Sequence, residues 1–258
     1  MSRIRVVEDL LFDTFKVLNG LPNYIGIEEK DAIEFDHMIM ESKLRRLISI
    51  GEDLQIKRIS ASINRSSEHY TDLSNILKDF RFELYASRVE VYRDLDDLDI
   101  NINGFEWRSL SDFTISEDEF KHYWERCMSS SENASSTLSM DEHLDSVKSE
   151  LGDNWRSSCK LVYVQDKPIG VSIPHIEPGT LDEGRLFYFG LVPEEQGRGQ
   201  STLIHLQSLS FLKQMGATYY IGSTHETNVR MQKVFLNNGC SIKAHTESYY
   251  KYFKNRRV

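Results

Sequence analysis

Leu186-Phe187-Tyr188-Phe189-Gly190-Leu191-Val192-Pro193 is an apolar run closed by proline. Gln196-Gly197-Arg198-Gly199-Gln200-Ser201 follows two residues later. From Thr202 to Met215 the apolar residues recur at helical spacing, and Gly216 stands where a helix C-cap is expected. The order reads as strand, glycine turn and helix. Such a turn feeding a helix N-terminus is an anion site: glycines let the backbone come close, the first-turn N–H groups lack intrahelical partners, and the macrodipole favours negative charge. The expected anion is a pyrophosphate.

Two common nucleotide patterns do not fit. A Walker loop needs a Lys-Ser/Thr pair after its second glycine, and none is present. A dinucleotide fingerprint needs three glycines and an acidic residue about 20 positions on, where this chain has Thr218 and Tyr219. The spacing instead resembles motif A of the GCN5-related N-acetyltransferases (GNAT), Gln/Arg-x-x-Gly-x-Gly/Ala. Gln196, Gly199 and Ser201 fill it, with Ser in place of the last small residue. A second element of that family, Asn-x-x-Ala-x-x-x-Tyr-x-x-x-Gly-Phe, is matched in spacing by Asn228, Met231, Phe235, Gly239 and Cys240.

The order around these motifs agrees with the resemblance. Phe105 to Leu110 reads as a strand, and Glu117 to Met128 as a helix with Ser116 and Glu119 as a capping box. A Ser-rich loop leads to a helix over Asp141 to Leu151. Strands at Lys160–Val164 and Pro168–Pro174 flank the turn Gln165-Asp166-Lys167. After the motif A helix come a strand from Thr218 to Ser223, a helix from Asn228 to Asn237, and a last strand from Ser241. The β-α-α-β-β-β-α-β-α-β order is that of a whole GNAT domain over residues 105–258: an α/β (α+β) fold with a mixed, mostly antiparallel sheet flanked by helices.

A boundary is expected near 94–104, where Asp94, Asp96, Asp97 and Asp99 give way to Asn101-Ile102-Asn103-Gly104. Residues 1–104 form a smaller α/β domain and echo the second half of the larger one. A strand at Ile56–Ile63, a helix at Ser67–Lys78 and an alternating strand at Phe82–Tyr92 follow a helix over 37–55. No glycine turn precedes that helix. Two readings stay open, a degenerate GNAT half that has lost its cofactor loop and an unrelated α/β cap.

Composition sets the class. The chain has 258 residues, 40% of them hydrophobic, and a net charge of −9. No apolar run reaches the ~20 residues of a membrane span, and Met1–Arg5 leads into an amphipathic, acidic segment, so a secretory core is not expected there. Cys127, Cys159 and Cys240 are scattered without metal-ligand spacing, so neither a disulfide framework nor a metal site is expected. A cytoplasmic protein is the expectation. The negative charge disfavours nucleic acid as a partner and suits a cationic amine, though a solvated acidic surface accounts for it equally well.

The resemblance implies the chemistry. Acetyl-CoA would be the acyl donor and an amine, small molecule or protein-borne, the acceptor, with direct transfer between them. The amides of Gln196, Gly197, Arg198, Gly199, Gln200 and Ser201 would hold the pyrophosphate, with Arg198 either a phosphate contact or solvated. Pantetheine would lie between the fourth and fifth strands of the domain, bonding N–H groups near Leu191 and Val192, with Asn228 as a side-chain contact or a helix N-cap. The family's tyrosine, which protonates the leaving thiolate, is replaced by Phe235 at the cofactor site, so another acid or water must serve. Mid-strand carboxylates are missing from the fourth strand, which has only Glu183 at its start. Tyr188, His225 and Glu226 are therefore the catalytic candidates. Acceptor choice would come from the Cys127–Leu138 loop, with Glu132, and from the last hairpin, with Tyr249 and Tyr250. The Tyr-rich end at Tyr249–Phe253 suits a homodimer edge or simple sheet packing. A non-catalytic acyl-CoA-binding or regulatory module is the alternative, favoured by Phe235, and a fold that has lost its cofactor a third reading.

Overall fold

A computed structural model describes residues 3–30, 33–99, 104–129, 131–132 and 136–253. The elements run α1 (Arg3–Leu11), β1 (Phe15–Gly20), β2 (Tyr24–Glu29), α2 (His37–Asp53), β3 (Arg58–Asn64), α3 (Tyr70–Asp79) and β4 (Glu83–Asp94). They continue with β5 (Glu106–Ser109), α4 (Glu117–Ser129), α5 (Met140–Leu151), α6 (Trp155–Ser158), β6 (Lys160–Val164) and β7 (Lys167–Ile176). The last are β8 (Glu183–Leu191), α7 (Ser201–Gln214), β9 (Tyr219–His225), α8 (Val229–Asn237) and β10 (Ser241–Tyr252). Part of the expected boundary turn, Asn101–Asn103, lies outside the described residues, as do Asn133–Ser135 of the Ser-rich loop.

The chain forms two compact units, one of residues 1–88 and 244–258, the other of residues 89–243. The division thus falls inside β4 and again inside β10. In the first unit β1 and β2 pair antiparallel, β2 and β3 parallel, and β3 pairs antiparallel with Thr246–Tyr252 of β10. The last strand's edge at Tyr249–Tyr252 is therefore engaged within the chain. Alternation along β3 buries Ile59, Ala61 and Ile63 against Leu44 and Leu47 of α2, Leu73 and Leu77 of α3, and Tyr249. Tyr249 faces this core, and Tyr250 stacks on Tyr85 at 3.9 Å in the same unit. The hairpin β1–β2 and the helix α1 have no counterpart in the sequence reading.

In the second unit the strands lie in the order β4-β9-β8-β7-β6-β5. All the pairings from β5 to β8 are antiparallel, and β8 pairs parallel with β9. Capping fixes the helix starts: Ser116 Oγ accepts from Glu119 N at 3.1 Å, and Ser139 and Glu142 make a reciprocal box at α5. One sheet face carries Leu161, Tyr163, Val171 and Ile173 against Phe120 and Trp124 of α4 and Leu144 and Val147 of α5. Leu186, Tyr220, Val89 and Val91 join a second cluster with Leu209 and Leu212 of α7 and Phe235 of α8. Because α7 is covered on most sides, it buries polar His205, Gln207, Ser208 and Ser210 as well. Ser172 and Ser208 satisfy each other at 2.9 Å.

Candidate active site

The site grows from an irregularity in β8. Ser172 is opposite Phe189 and Pro174 is opposite Leu186, so Phe187 and Tyr188 together face the single residue Ile173. This is a β-bulge, and Pro174, which has no N–H to donate, stands next to it. The bulge turns two successive side chains to the same face. Phe187 lies 6.2 Å and Tyr188 5.7 Å, ring centre to ring centre, from Trp124, while Leu186 and Phe189 pack on the α7 side. A bulge also bends its strand, and here β8 parts from β9. The two hold only two residue pairs, Glu183 with Tyr219 and Gly184 with Tyr220, at their N-terminal ends. Beyond Gly184 the strands form an open wedge.

Strand parity says what lines the wedge. Val192 N donates to Ile169 O at 3.0 Å, so the amide of Val192 is spent on the β7 side. In an antiparallel pair the neighbouring positions alternate, which directs the backbone groups of Phe189 and Leu191 toward β9. Leu191 O accepts there from Gln196 Nε2 at 3.0 Å. Gln196 thus ties the glycine turn to the strand end, a positioning role that the sequence pattern alone does not reveal. The N–H of Leu191 is left facing the wedge.

At the mouth of the wedge the chain passes through a short 3-10 turn, Pro193–Glu195, into the glycine turn. Gly197 and Gly199 have φ of +76° and +77°, a region that costs other residues roughly 1–2 kcal/mol, and no atom lies within 4 Å of where their Cβ atoms would stand. The left-handed Gly199 followed by right-handed Gln200 makes a concave nest of N–H groups. The first intrahelical bond of α7 is Ile204 N to Gln200 O, 3.1 Å, and no side chain caps the N-terminus. The amides of Ser201, Thr202 and Leu203 therefore point out of the helix end with no intrahelical acceptor. Gln200 Oε1 is buried and has no hydrogen-bond partner. Arg198, largely exposed, pairs with the buried carboxylate of Glu195 at 2.9 Å, and Lys167 reaches the same carboxylate at 3.2 Å.

Across the wedge, Asn228 is buried at the N-cap of α8. Its Oδ1 accepts from Met231 N at 3.0 Å, and its Nδ2 has no hydrogen-bond partner among the described residues. His225 Nδ1 accepts from the backbone N–H of Thr227 at 3.3 Å and lies 2.7 Å from its hydroxyl. With Nδ1 accepting, the neutral ring carries its proton on Nε2. Glu226 is exposed, and its carbonyl accepts from Gln232 Nε2 at 2.7 Å. Glu132 pairs with Arg230 of α8 at 3.4 Å.

The aromatic residues divide between faces. Phe235 is 2% exposed in the core, 5.5 Å from the His205 ring and 6.4 Å from Tyr220. His205 is completely enclosed, and burial lowers its pKa to about 3. Its neutral ring sits 2.9 Å from Asn238 Nδ2 and 3.4 Å from Tyr220 OH. Burial likewise raises the Tyr188 phenol far above its ordinary range. Tyr188 is then a neutral hydroxyl that can donate a hydrogen bond but is a poor proton donor. The thiols of Cys127 and Cys159 are pushed up to about 12 and that of Cys240 to about 11 by burial, so none supplies a thiolate nucleophile.

One cluster that the sequence reading missed lies on the α4/α5 face beside the bulge. His175 Nε2 is 3.3 Å from Glu177 Oε2 and 3.9 Å from Glu150 Oε1. Arg185 Nε is 3.4 Å from Glu177 and 2.6 Å from Glu183. Its members come from α5, β7, the turn after β7 and β8 at irregular spacing, which leaves no motif to find.

No protein-family model matches the chain, and no curated protein sequence does. Solved structures do. A GCN5-related N-acetyltransferase from Sphaerobacter thermophilus superposes with a TM-score of 0.60 at 14% identity, over 92% of this chain and 76% of that one. Another from Kribbella flavida gives 0.57 at 12% identity, over 99% and 97%. A tandem GNAT protein from the clavulanic acid biosynthesis pathway gives 0.56 at 11% identity, over 93% and 79%. The fold of this chain is the GNAT fold.

Proposed function

We propose that the protein is an acetyl-CoA-dependent N-acetyltransferase that passes an acetyl group directly to an amine. The observation that carries this reading is the wedge between β8 and β9, with an uncapped helix N-terminus and two left-handed glycines at its mouth. Helix amides and the nest suit a pyrophosphate. Leu191 N and Asn228 Nδ2 are donors of the kind that an extended amide-bearing chain between the strands requires. A preorganised backbone donor near the carbonyl oxygen of a thioester would stabilise the charge that develops there.

The first unit supports the tandem reading by contrast. Its sequence of elements, β1-β2-α2-β3-α3-β4, repeats β7-β8-α7-β9-α8-β10. Yet β2 and β3 stay paired over five positions, Tyr24–Glu28 with Arg58–Ser62, and no glycine turn precedes α2. We take it as a GNAT-like half without a cofactor cleft.

A second reading, binding without turnover, is favoured by Phe235. A hydroxyl is missing there, and the ring is sealed in the core. Tyr188 offers a hydroxyl on the opposite face of β8, and a thiolate with a pKa of ~8.5 leaves with little help, so the enzyme reading is preferred.

Calorimetric titration with acetyl-CoA and with desulfo-CoA, beside Gly199→Trp, tests the site. Micromolar binding that the variant loses supports it. Binding of neither ligand by the wild type sinks both the enzyme and the binder readings.

A further inference from the structure

We propose that His175 is the proton acceptor for the incoming amine, aligned by Glu177; this rests on the acetyltransferase reading above. The ring is 5% exposed, and its Nδ1 is buried without a hydrogen-bond partner. Its Nε2 stands between two carboxylates, Glu177 Oε2 at 3.3 Å and Glu150 Oε1 at 3.9 Å. Carboxylates accept and do not donate, so they hold the ring proton on Nε2 and leave the lone pair on Nδ1. An imidazole with one nitrogen anchored on a carboxylate and the other free of partners is an oriented base. By comparison, the Nδ1 lone pair of His225 is occupied by Thr227 N–H.

Position agrees. His175, Arg185 and Phe187 share the α4/α5 face, and the His175 ring centre lies 6.4 Å from that of Phe187, which belongs to the bulge at the head of the wedge. The charged groups facing the ring are Glu150 from α5, Glu177 beyond the end of β7 and, across Glu177, Arg185 and Glu183 from β8. Counting three carboxylates against one guanidinium, the surroundings are negative. That charge draws an ammonium toward this face. Glu150, His175 and Glu177 also lie close enough to hold a cation between them. However, the Arg185 guanidinium already stands on Glu177, so a dication there would meet a fixed positive charge.

The ammonium R–NH3+ gives one proton to Nδ1 through a single water, since the ring is buried. The amine nitrogen then bonds the thioester carbonyl carbon and the C–S bond breaks. The second nitrogen proton passes to the departing thiolate, yielding the amide and the free thiol, and the imidazolium returns its proton to solvent.

The test follows thiol release from acetyl-CoA with butylamine as a minimal acceptor, across pH 6 to 9, in wild type, His175→Gln and Glu177→Gln. General-base loss is worth ~10²–10⁴-fold. His175→Gln is expected to lose at least a hundredfold in kcat/KM together with the acidic limb of the profile, with acetyl-CoA affinity unchanged. Glu177→Gln is expected to lower kcat with acetyl-CoA affinity unchanged, because the ring loses the acceptor that holds its Nε2 proton. Nitrogen-15 NMR of the wild-type imidazole should show Nε2 protonated, a readout that no folding defect affects. A proton on Nδ1, a limb retained in His175→Gln, or turnover abolished by EDTA overturns the proposal. Tight acetyl-CoA binding with no thiol release by the wild type also overturns it while leaving the cofactor site standing. Failure to bind acetyl-CoA would instead sink the reading beneath it.

Discussion

The two roles proposed for Asn228 can be separated by one substitution. Its Oδ1 caps α8 through Met231 N at 3.0 Å, while its Nδ2 is the donor offered to the wedge. Asn228→Ala removes both. Loss of an N-cap costs about 1 kcal/mol, which for a unit of this size lowers Tm by roughly 2–4 °C. Asn228→Asp keeps the accepting oxygen and adds negative charge at a helix N-terminus, worth ~0.3–1 kcal/mol in favour of folding. It deletes the donor, and a lost hydrogen bond of ~1–1.5 kcal/mol weakens acetyl-CoA by about tenfold. Differential scanning fluorimetry reads the first effect and isothermal titration calorimetry the second. The expected pattern is a lowered Tm only in Asn228→Ala and weakened binding in both. An Asp variant that binds acetyl-CoA like wild type would refute the donor role and leave Asn228 as a cap. An Ala variant with unchanged Tm would refute the cap.

Gln196→Ala removes the bond to Leu191 O and loosens the turn, and titration should show acetyl-CoA binding weakened about fivefold, the equivalent of ~1 kcal/mol. Titration should also return one acetyl-CoA per chain, because β2 and β3 remain paired where β8 and β9 part; two per chain would refute the reading of the first unit. His205 has a pKa of about 3 in the folded protein against ~6.5 unfolded, so its contribution is complete above pH 6.5 and falls away as pH drops toward 3. Denaturant unfolding at pH 7 and pH 5 should show wild type losing ~2 kcal/mol more between the two than His205→Gln loses.

Local chemistry accounts for what could be read from the chain. Glycines at 197 and 199, the capping residues Ser116 and Ser139, and the apolar periods of β8 and α7 act within a few residues, and each lies where its chemistry places it. The Asn228 cap was legible in the same way. Less legible was the hairpin β1–β2, whose residues alternate weakly and whose register is set by β3, more than 30 positions on in sequence.

Four features needed the tertiary structure. The bulge at Phe187–Tyr188 exists only relative to β7, since an extra residue in a strand is defined by the strand it faces. It puts Tyr188 beside Trp124 and Leu186 on the opposite face, a division that simple alternation would not give. Phe235 keeps the spacing of a cofactor contact, but packing against His205 and Tyr220 encloses it. Glu150, His175 and Glu177 come together because the fold brings Glu150 of α5 to 3.9 Å from His175 of β7. Sequence determined which turns, caps and amphipathic segments this chain would form, because those depend on neighbours along the backbone. Only the tertiary structure decided where two strands part and which buried charges meet, because those depend on residues that the chain brings together from far apart.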